Sequence, residues 1–302
     1  MYVKMMNFAF PHRLAYIQYM SKKTTTKTPQ KPLKAKSKKV LARLANVVIL
    51  YEDADCLVVN KPAGLMVHSD GKNEGPFLAD WILENYPKAK DVGDPMNDSE
   101  GNPLNRSGIV HRLDRETSGA IIIAKTKKGH ASLKQQFKDR LVMKKYLAFI
   151  WGEMKEEFGT IDRPIGRSSS NFRKWSAYPT ARGDIREAQT YWTRMGNTED
   201  MTTLDNSISQ GESMEKFALV EVQPKTGRTH QIRVHMSAIN HPVVGDSLYA
   251  PKKPMALGFE RLALHSYIIE FSDLKGKKVK IVAPLPPDFK RAVKKFDLKL
   301  PV

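Results

Sequence analysis

The sequence predicts an α+β fold, with one domain built on a largely antiparallel, mixed β-sheet that is flanked by helices and loops. Two observations carry this prediction. Short apolar segments with the length and alternation of strands recur along residues 46–302. Segments with helical spacing are few and unevenly placed among them, which does not fit the regular alternation of a doubly wound fold. No internal repeat is found.

The first 45 residues differ in composition from the rest and are predicted to be a disordered, basic N-terminal extension, so the domain is residues 46–302. Residues 21–39 (SKKTTTKTPQKPLKAKSKK) are of low complexity, with too little apolar surface to offset the entropy of folding. Residues 1–20 are more apolar and contain no acid. They are interpreted either as an organelle-targeting peptide or as sequence upstream of a translation start at Met20, and both readings stay open.

The first half of the domain alternates between short strands and helices. The expected strands are residues 47–51, 56–60, 120–125 and 145–151. The expected helices are residues 78–86 and 130–140. Residues 61–64 and 91–107 carry the Gly, Pro, Asn and Asp typical of loops.

The second half is predominantly β. The expected strands are residues 189–193, 217–223, 262–271 and 279–283, and the expected helices are residues 229–238 and 287–296. Residues 196–215 contain five acids and no Lys or Arg, and are expected to form an exposed hairpin extension.

The strong positive charge favours a polyanionic partner. Fifty Lys and Arg oppose thirty-two Asp and Glu, a formal charge of +18, of which eleven basic residues fall in residues 1–51. Nucleic acid is the commonest partner for such a field. The single cysteine, Cys56, excludes an intrachain disulfide and suits a reducing compartment, so a cytoplasmic location is predicted. Its position in a strand pattern favours a packed thiol over a nucleophile.

Residues 111–119 (HRLDRETSG) form the first segment with more reactive side chains than a turn requires. They immediately precede the apolar run 120–124, and a loop at the entrance to a buried strand is a rigid platform for a reacting group. Asp114 is the candidate. The structural alternative is a turn in which Asp114 caps backbone N–H groups and His111 is a packed imidazole.

Residues 226–235 (TGRTHQIRVH) form the second such segment. A helix beginning near Thr229 would place His230 and Arg233 on one face. Arg233 lies in an apolar sector and is expected to point inwards, where an unpaired charge would be very costly. Asp114 is the proposed partner, and a structural pairing of Arg233 with another carboxylate is the alternative.

Residues 144–152 (KKYLAFIWG) form the third segment. Tyr146 is either a half-buried aromatic of the strand or a ring that stacks on a base and exchanges a proton through its phenol.

Together these segments resemble the RluA/RluD-type RNA pseudouridine synthases. The resemblance includes residues 60–64 (NKPAG), 111–119, Tyr146, 226–235, 241–249 (HPVVGDSLY) and 264–265 (LH), and it extends from residue 47 to about residue 285. Family members often carry an N-terminal RNA-binding module of the S4 type, for which the first 45 residues are too short and too polar. The acidic segment 196–215 also looks longer than the family needs.

The resemblance implies isomerisation of uridine to pseudouridine in RNA, with no cofactor and no metal. Asp114 would be the essential carboxylate, Arg233 would pair with it and keep it ionised, and Tyr146 would stack on the uracil and help to remove the C5 proton. Arg112 would fill the space left by the flipped nucleotide, and Val244 would be the apolar floor of the uracil pocket. Further RNA contacts are expected from His111, Arg115, Lys145, Arg228, His230 and Gln231.

The resemblance favours large-subunit ribosomal RNA as substrate, with transfer RNA as the alternative, and a monomer is expected. Two other classes of function remain. One is a metal-dependent hydrolase built from His111, Asp114, His230 and His235, although the spacing of five between the last two suits one helix face poorly. The other is a non-catalytic RNA-binding protein of the same fold.

Overall fold

The computed structural model describes residues 44–69, 75–94, 101, 106–197, 215–295 and 300. The predictions for the N-terminal extension therefore lie almost wholly outside the described residues. The same holds for most of the acidic segment, since residues 198–214 are not among them.

The described residues form twelve strands. In chain order they are β1 (Val48–Glu52), β2 (Cys56–Lys61), β3 (Ser118–Ala124), β4 (Met143–Trp151), β5 (Phe158–Asp162), β6 (Ile165–Arg167), β7 (Trp175–Ser176), β8 (Arg182–Arg186), β9 (Gln189–Asn197), β10 (Phe217–Pro224), β11 (Leu264–Ser272) and β12 (Lys278–Val282).

Nine of these strands make one large sheet. Its order is β1-β2-β3-β11-β4-β10-β9-β5, with β12 paired to β11 off this path. The β3–β11 pair is parallel, and every other pair in the sheet is antiparallel. The predicted α+β class with a largely antiparallel sheet is confirmed.

The four α-helices among these residues are α1 (Leu78–Asn85), α2 (Lys127–Lys138), α3 (Gln231–Ala238) and α4 (Pro287–Lys295). Helix α2 begins three residues before the prediction, because the Thr126 hydroxyl caps it by accepting a hydrogen bond from the Gly129 N–H at 3.0 Å. Helix α3 begins later than predicted. His230 has a left-handed backbone (φ 56°), so the chain turns there and the helix starts at Gln231.

A second, three-stranded sheet with the order β7-β6-β8 was not predicted. All five residues of β8 are exposed, so no apolar alternation marks it in the sequence. The sheet is held by the packing of Ile165, Ala177 and Ala188 against Val234 and Ala238 of α3.

The centre of the large sheet carries the loops of the candidate site. Every residue of β3 is buried. Gly119, with φ 111°, lets β3 pair closely with β11, since a Cβ there would lie 2.1 Å from the Ser266 carbonyl oxygen. The segment 111–117 is thereby fixed at the entrance to β3. None of the helices among the described residues combines the length and apolar character that a membrane span requires.

Candidate active site

Two adjoining clefts open where the loop before β3 meets the N-terminal end of α3. Their volumes are about 550 and 230 Å³. Asp114 and Arg233 line both clefts, together with Arg112, Leu113 and His230. The first and second segments that the sequence singled out therefore meet at one place.

The loop that carries Asp114 is held in place by hydrogen bonds from Thr117, Gly64 and Lys61. The Thr117 N–H donates to the Asp114 carbonyl at 3.1 Å, and the Gly64 N–H donates to the Arg115 carbonyl at 2.7 Å. Lys61, which is fully buried, donates from Nζ to the carbonyls of Arg115 at 3.2 Å and Leu65 at 2.7 Å. A carboxylate on such a loop is held in place before any ligand arrives.

Arg233 makes the predicted contact with Asp114, and it also makes the alternative pairing with another carboxylate, which the sequence did not identify as Asp246. Its Nη1 donates to Asp114 Oδ2 at 3.1 Å. Its Nε and Nη2 donate to the two oxygens of Asp246, both at 2.8 Å. The guanidinium therefore makes a bidentate contact with Asp246 through Nε and Nη2, and Nη1 remains to donate to Asp114.

Asp246 is a buried anchor. Its side chain has no exposed surface. Its Oδ1 also accepts the backbone N–H groups of Leu248 at 3.0 Å and Tyr249 at 2.9 Å. Burial alone would lower the pKa of the Arg233 guanidinium, but the bonds and charge of Asp246, followed by those of Asp114, raise that pKa above its ordinary value. Arg233 is thus a fixed cation beneath Asp114.

His230 is held beside Asp114 as a neutral imidazole. Burial lowers the pKa of His230 below its ordinary value, and the charge of Asp114 opposes this only in part. The Tyr249 hydroxyl accepts the Trp175 N–H at 3.0 Å and lies 3.0 Å from His230 Nδ1. That hydroxyl is then placed to donate to Nδ1, which leaves the ring proton on Nε2, 4.0 Å from Asp114 Oδ1.

Tyr146 lines the larger cleft from β4, with 8% of its surface exposed. Burial raises the pKa of its phenol well above the ordinary value, and the charge of Asp114 adds to that, while a hydrogen bond with Ser266 acts in the opposite direction. The phenol is therefore neutral near pH 7.

Lys145 was predicted to contact RNA, but the structure does not bring it into the cleft. Its Nζ is bonded to Glu221 at 2.7 Å on the other face of β4. Side chains alternate along a strand, so the residues that share the face of Tyr146 are two positions away. Lys144 lies on that face and lines the larger cleft, and burial lowers its pKa to about 8. The period of the strand would have identified it.

The other residues of the first segment occupy different positions around the clefts. The His111 ring stacks on Phe137 at 4.7 Å, and its Nε2 accepts the Ile122 N–H at 2.9 Å. Burial lowers the pKa of His111 to about 3. Arg112 is exposed and lines both clefts, and Arg115 lines the smaller one beside Glu116, 3.2 Å away.

Two predicted RNA contacts of the second segment have structural tasks in the fold. Gln231 uses its whole side-chain amide within the protein: Nε2 donates to the Gln189 carbonyl and to Thr190 Oγ1, both at 2.9 Å. Its Oε1 accepts from Thr226 Oγ1 at 2.6 Å and from the Arg228 N–H at 3.0 Å. Gln231 therefore shapes the turn. Arg228 donates from Nε to the Glu187 carbonyl at 3.0 Å, and both residues line the larger cleft.

Val244 was predicted to be the apolar floor of a uracil pocket, but it lies in the core. It has no exposed surface, and its backbone is bonded to Phe149 and Ala263. Neither cleft is lined by it. The apolar residues that reach the larger cleft include Leu113 and Leu264.

The histidine set of the metal-dependent alternative does not come together. His235 is fully buried, with Nδ1 2.8 Å from Thr190 Oγ1 and Nε2 2.9 Å from the Arg163 carbonyl. Within the described part of the chain, no three His, Cys, Asp or Glu side chains are grouped as a metal site requires.

Comparison with known families gives a match to the site segments as a whole. The family model described as RNA pseudouridylate synthase matches residues 55–238. An uncharacterised RNA pseudouridine synthase of Synechocystis is 31% identical over 263 residues, which cover 87% of this chain and 72% of that protein. A protein of Zymomonas mobilis named ribosomal large subunit pseudouridine synthase D is 36% identical over 248 residues, 80% of this chain and 69% of that protein.

Solved structures agree with the sequence matches. The human protein named RNA pseudouridylate synthase domain containing 4 is 25% identical, with a TM-score of 0.62 over 87% of this chain and 97% of the other. Human RNA pseudouridylate synthase domain containing 1 is 27% identical, with a TM-score of 0.59 over 80% of this chain and 85% of the other.

Proposed function

The chain belongs to the RNA pseudouridine synthase family, and we propose that it modifies large-subunit ribosomal RNA with Asp114 as its catalytic carboxylate. Enzymes of this family are isomerases, and RNA is the substrate class of this chain. The choice of ribosomal RNA rests on relatives from Zymomonas mobilis and Yersinia pestis, both named as large-subunit enzymes.

One observation carries the assignment of Asp114. Among the described residues, the larger cleft is lined by eight Lys or Arg side chains and a single carboxylate, that of Asp114. A strongly basic cleft attracts the phosphates of RNA. The carboxylate within it is the group that can act on the ribose or the base, and Arg233 Nη1 holds it in place with a hydrogen bond of 3.1 Å.

The reaction is an isomerisation that needs no oxidant or reductant. The N1–C1′ bond breaks, the uracil turns, C5 bonds to C1′, C5 loses its proton and N1 gains one. We assign the attack or proton abstraction to Asp114 Oδ1, because Oδ2 already accepts from Arg233. Asp114 Oδ1 lies 4.0 Å from His230 Nε2, beyond hydrogen-bonding distance, and Asp114 lines both clefts.

Tyr146 is proposed to stack on the target uracil. Its phenol must first lose its own proton in order to accept the one from C5, and the raised pKa disfavours that step near neutral pH. Stacking requires only a ring at the wall of the cleft, which Tyr146 provides. Arg112, exposed at the junction of the clefts, is proposed to fill the space that the flipped nucleotide leaves, a flip that costs a few kcal/mol.

The test is pseudouridine mapping across total RNA from cells with and without this gene. Loss of particular sites from large-subunit ribosomal RNA, restored by the wild-type gene, is the expected result. Sites lost only from transfer RNA would replace the proposed substrate with the alternative. No lost site in any RNA would contradict the function itself.

Asp114→Asn tests the catalytic assignment in the same cells. This variant keeps the shape of the side chain but removes its charge, and it should fail to restore the sites while the purified protein stays folded. Asp91→Asn is the matched control, because Asp91 is exposed and outside both clefts. Restoration by Asp114→Asn would refute the assignment. Fractionation of the same strains tests the predicted cytoplasmic location. Light scattering of the purified protein tests the predicted monomer.

A further inference from the structure

We propose that one edge of the small sheet is a second RNA-binding surface, which holds an unpaired nucleotide next to the target uridine. The proposal rests on the proposed function only in taking RNA as the ligand. We call this surface the arginine–aromatic edge; its residues are Arg167, Phe172, Arg173, Lys174, Trp175 and Arg182.

The strand register gathers these residues at one end of the small sheet. Arg167 at the end of β6 is paired with Trp175 of β7 on one side and with Arg182 of β8 on the other. The Arg167 guanidinium lies over the Trp175 ring at 4.1 Å, and that of Arg173 lies over the Phe172 ring at 5.5 Å. A guanidinium therefore already lies over each of the two aromatic rings, in an arrangement that unpaired bases can extend.

Phe172 presents its ring to solvent. It has 81% of its surface exposed, so its ring is available to a ligand. Stacking on an aromatic ring contributes about 1–3 kcal/mol per base and tolerates any base, because every base has a π face. An exposed ring beside a stacked guanidinium suits this use.

The charge of the edge selects the kind of partner. Its four basic side chains have no Asp or Glu within 4.0 Å among the described residues, whereas Arg186 at the opposite end of the sheet is paired with Asp184. Unneutralised cations beside exposed rings favour a ligand that offers both phosphates and π faces. An apolar protein surface would leave these charges unpaired.

The edge is adjacent to the candidate active site. The backbone N–H of Trp175 donates to the Tyr249 hydroxyl at 3.0 Å, and that hydroxyl lies 3.0 Å from the ring of His230, which lines both clefts. A strand of RNA whose uridine enters the cleft would pass this edge with its neighbouring nucleotides.

The first test compares two exposed phenylalanines. Phe172→Ala should weaken binding about tenfold, near the lower end of the range for one stacked base. The probe is a fluorescent RNA hairpin whose unpaired loop contains a uridine. The second ligand is the same strand fully paired to its complement. Phe158→Ala is the matched control, because Phe158 is 73% exposed on β5 and lies outside the edge. Phe172→Tyr, which retains a ring, should bind like the wild type.

The second test removes charge. Replacing Arg167, Arg173 and Arg182 together with Gln should lower the slope of log Kd against log salt by about 0.7 for each phosphate of a single strand that the protein no longer neutralises. The control is a variant in which Lys275, Lys277 and Lys278 are together replaced with Gln. Lys275 and Lys277 lie in the exposed turn before β12, Lys278 is the first residue of β12, and none of the three lines a cleft.

Photo-crosslinking locates the nucleotide. A hairpin with 4-thiouridine beside the loop uridine should crosslink to peptides of residues 167–182. Equal Kd values for Phe172→Ala and Phe158→Ala, or crosslinks confined to the clefts, would overturn the proposal. Binding unaffected by either set of edge variants would point to a protein partner and also overturn it. None of these measurements requires turnover, so a failure of the proposed function would be seen separately, in the mapping.

Discussion

Arg233 has two carboxylates within reach, and the geometry ranks them. The two bonds to Asp246 are both 2.8 Å long, whereas the single bond to Asp114 is 3.1 Å long. Asp246 has no exposed side-chain surface, and Asp114 has 21%. A rigid fork fixed on a buried acid keeps its position when the other acid acts on a substrate. Asp246 is therefore a positioning residue for the charge that supports Asp114.

Asp246→Asn tests this positioning role. The change removes one charge of a buried pair, for which losses of about 3–5 kcal/mol in the free energy of unfolding are usual, and we expect the lower end because Arg233 keeps Asp114. A guanidinium displaced by about 1 Å can cost on the order of 100-fold in rate. Urea denaturation and single-turnover kinetics measure the two effects.

Asp288→Asn is the matched control for Asp246→Asn. Asp288 makes a comparable two-bond contact with Arg261, at 2.6 and 3.0 Å, but does not line either cleft. This variant should lose stability with a much smaller loss of rate. Equal losses of rate in the two variants would show that Asp246 acts through general stability and not through Arg233.

At the scale of the element, β4 separates two adjacent lysines. Lys144 lines the larger cleft, and Lys145 is bonded to Glu221 on the opposite face. Lys144→Gln should weaken RNA binding and lower the salt slope by about 0.7–0.9 for one phosphate contact, whereas Lys145→Gln should leave both nearly unchanged. Fluorescence anisotropy over a salt series measures this difference.

The same pair gives a dependence on pH. The pKa of Lys144 is lowered to about 8, so its charge is present at pH 7 and is lost as the pH rises through 8. The contribution of Lys144 to RNA affinity should fall in that window. Lys144→Gln should not show this fall, and an equal fall in both proteins would assign it to another group.

Some elements were predictable because burial and periodicity coincide in them. The apolar run of β3 has the length of a buried strand. The cost of an unpaired inward Arg predicts a carboxylate beside Arg233, but it does not choose between Asp114 and another acid. The fully exposed β8 offers no such signal. Asp246 lies in a loop 13 residues after Arg233, so no helical or strand spacing connects the two.

At the scale of the whole molecule, buried histidines decide how the fold responds to acid. Burial lowers the pKa of His111 to about 3 and that of His265 to about 4. Burial also lowers the pKa values of three further histidines, His130, His230 and His235. The folded protein keeps these rings neutral, although an unfolded chain would protonate them near pH 6.5.

The free energy of unfolding should therefore decrease as the pH falls below about 6.5. Because the pKa values are lower in the folded state, the unfolded state binds more protons, and stability is full above about pH 6.5 and lost towards the folded pKa values. Each such histidine contributes a slope of up to about 1.4 kcal/mol per pH unit.

Urea denaturation between about pH 6.5 and pH 5, above the range of most carboxylates, measures the summed slope of these histidines. His111→Gln keeps an acceptor for the Ile122 N–H. This variant should lower the slope by the contribution of one histidine, up to about 1.4 kcal/mol per pH unit. A slope unchanged in this variant would mean that His111 is protonated in the folded protein, and its packing against Phe137 would then have to accommodate a charge.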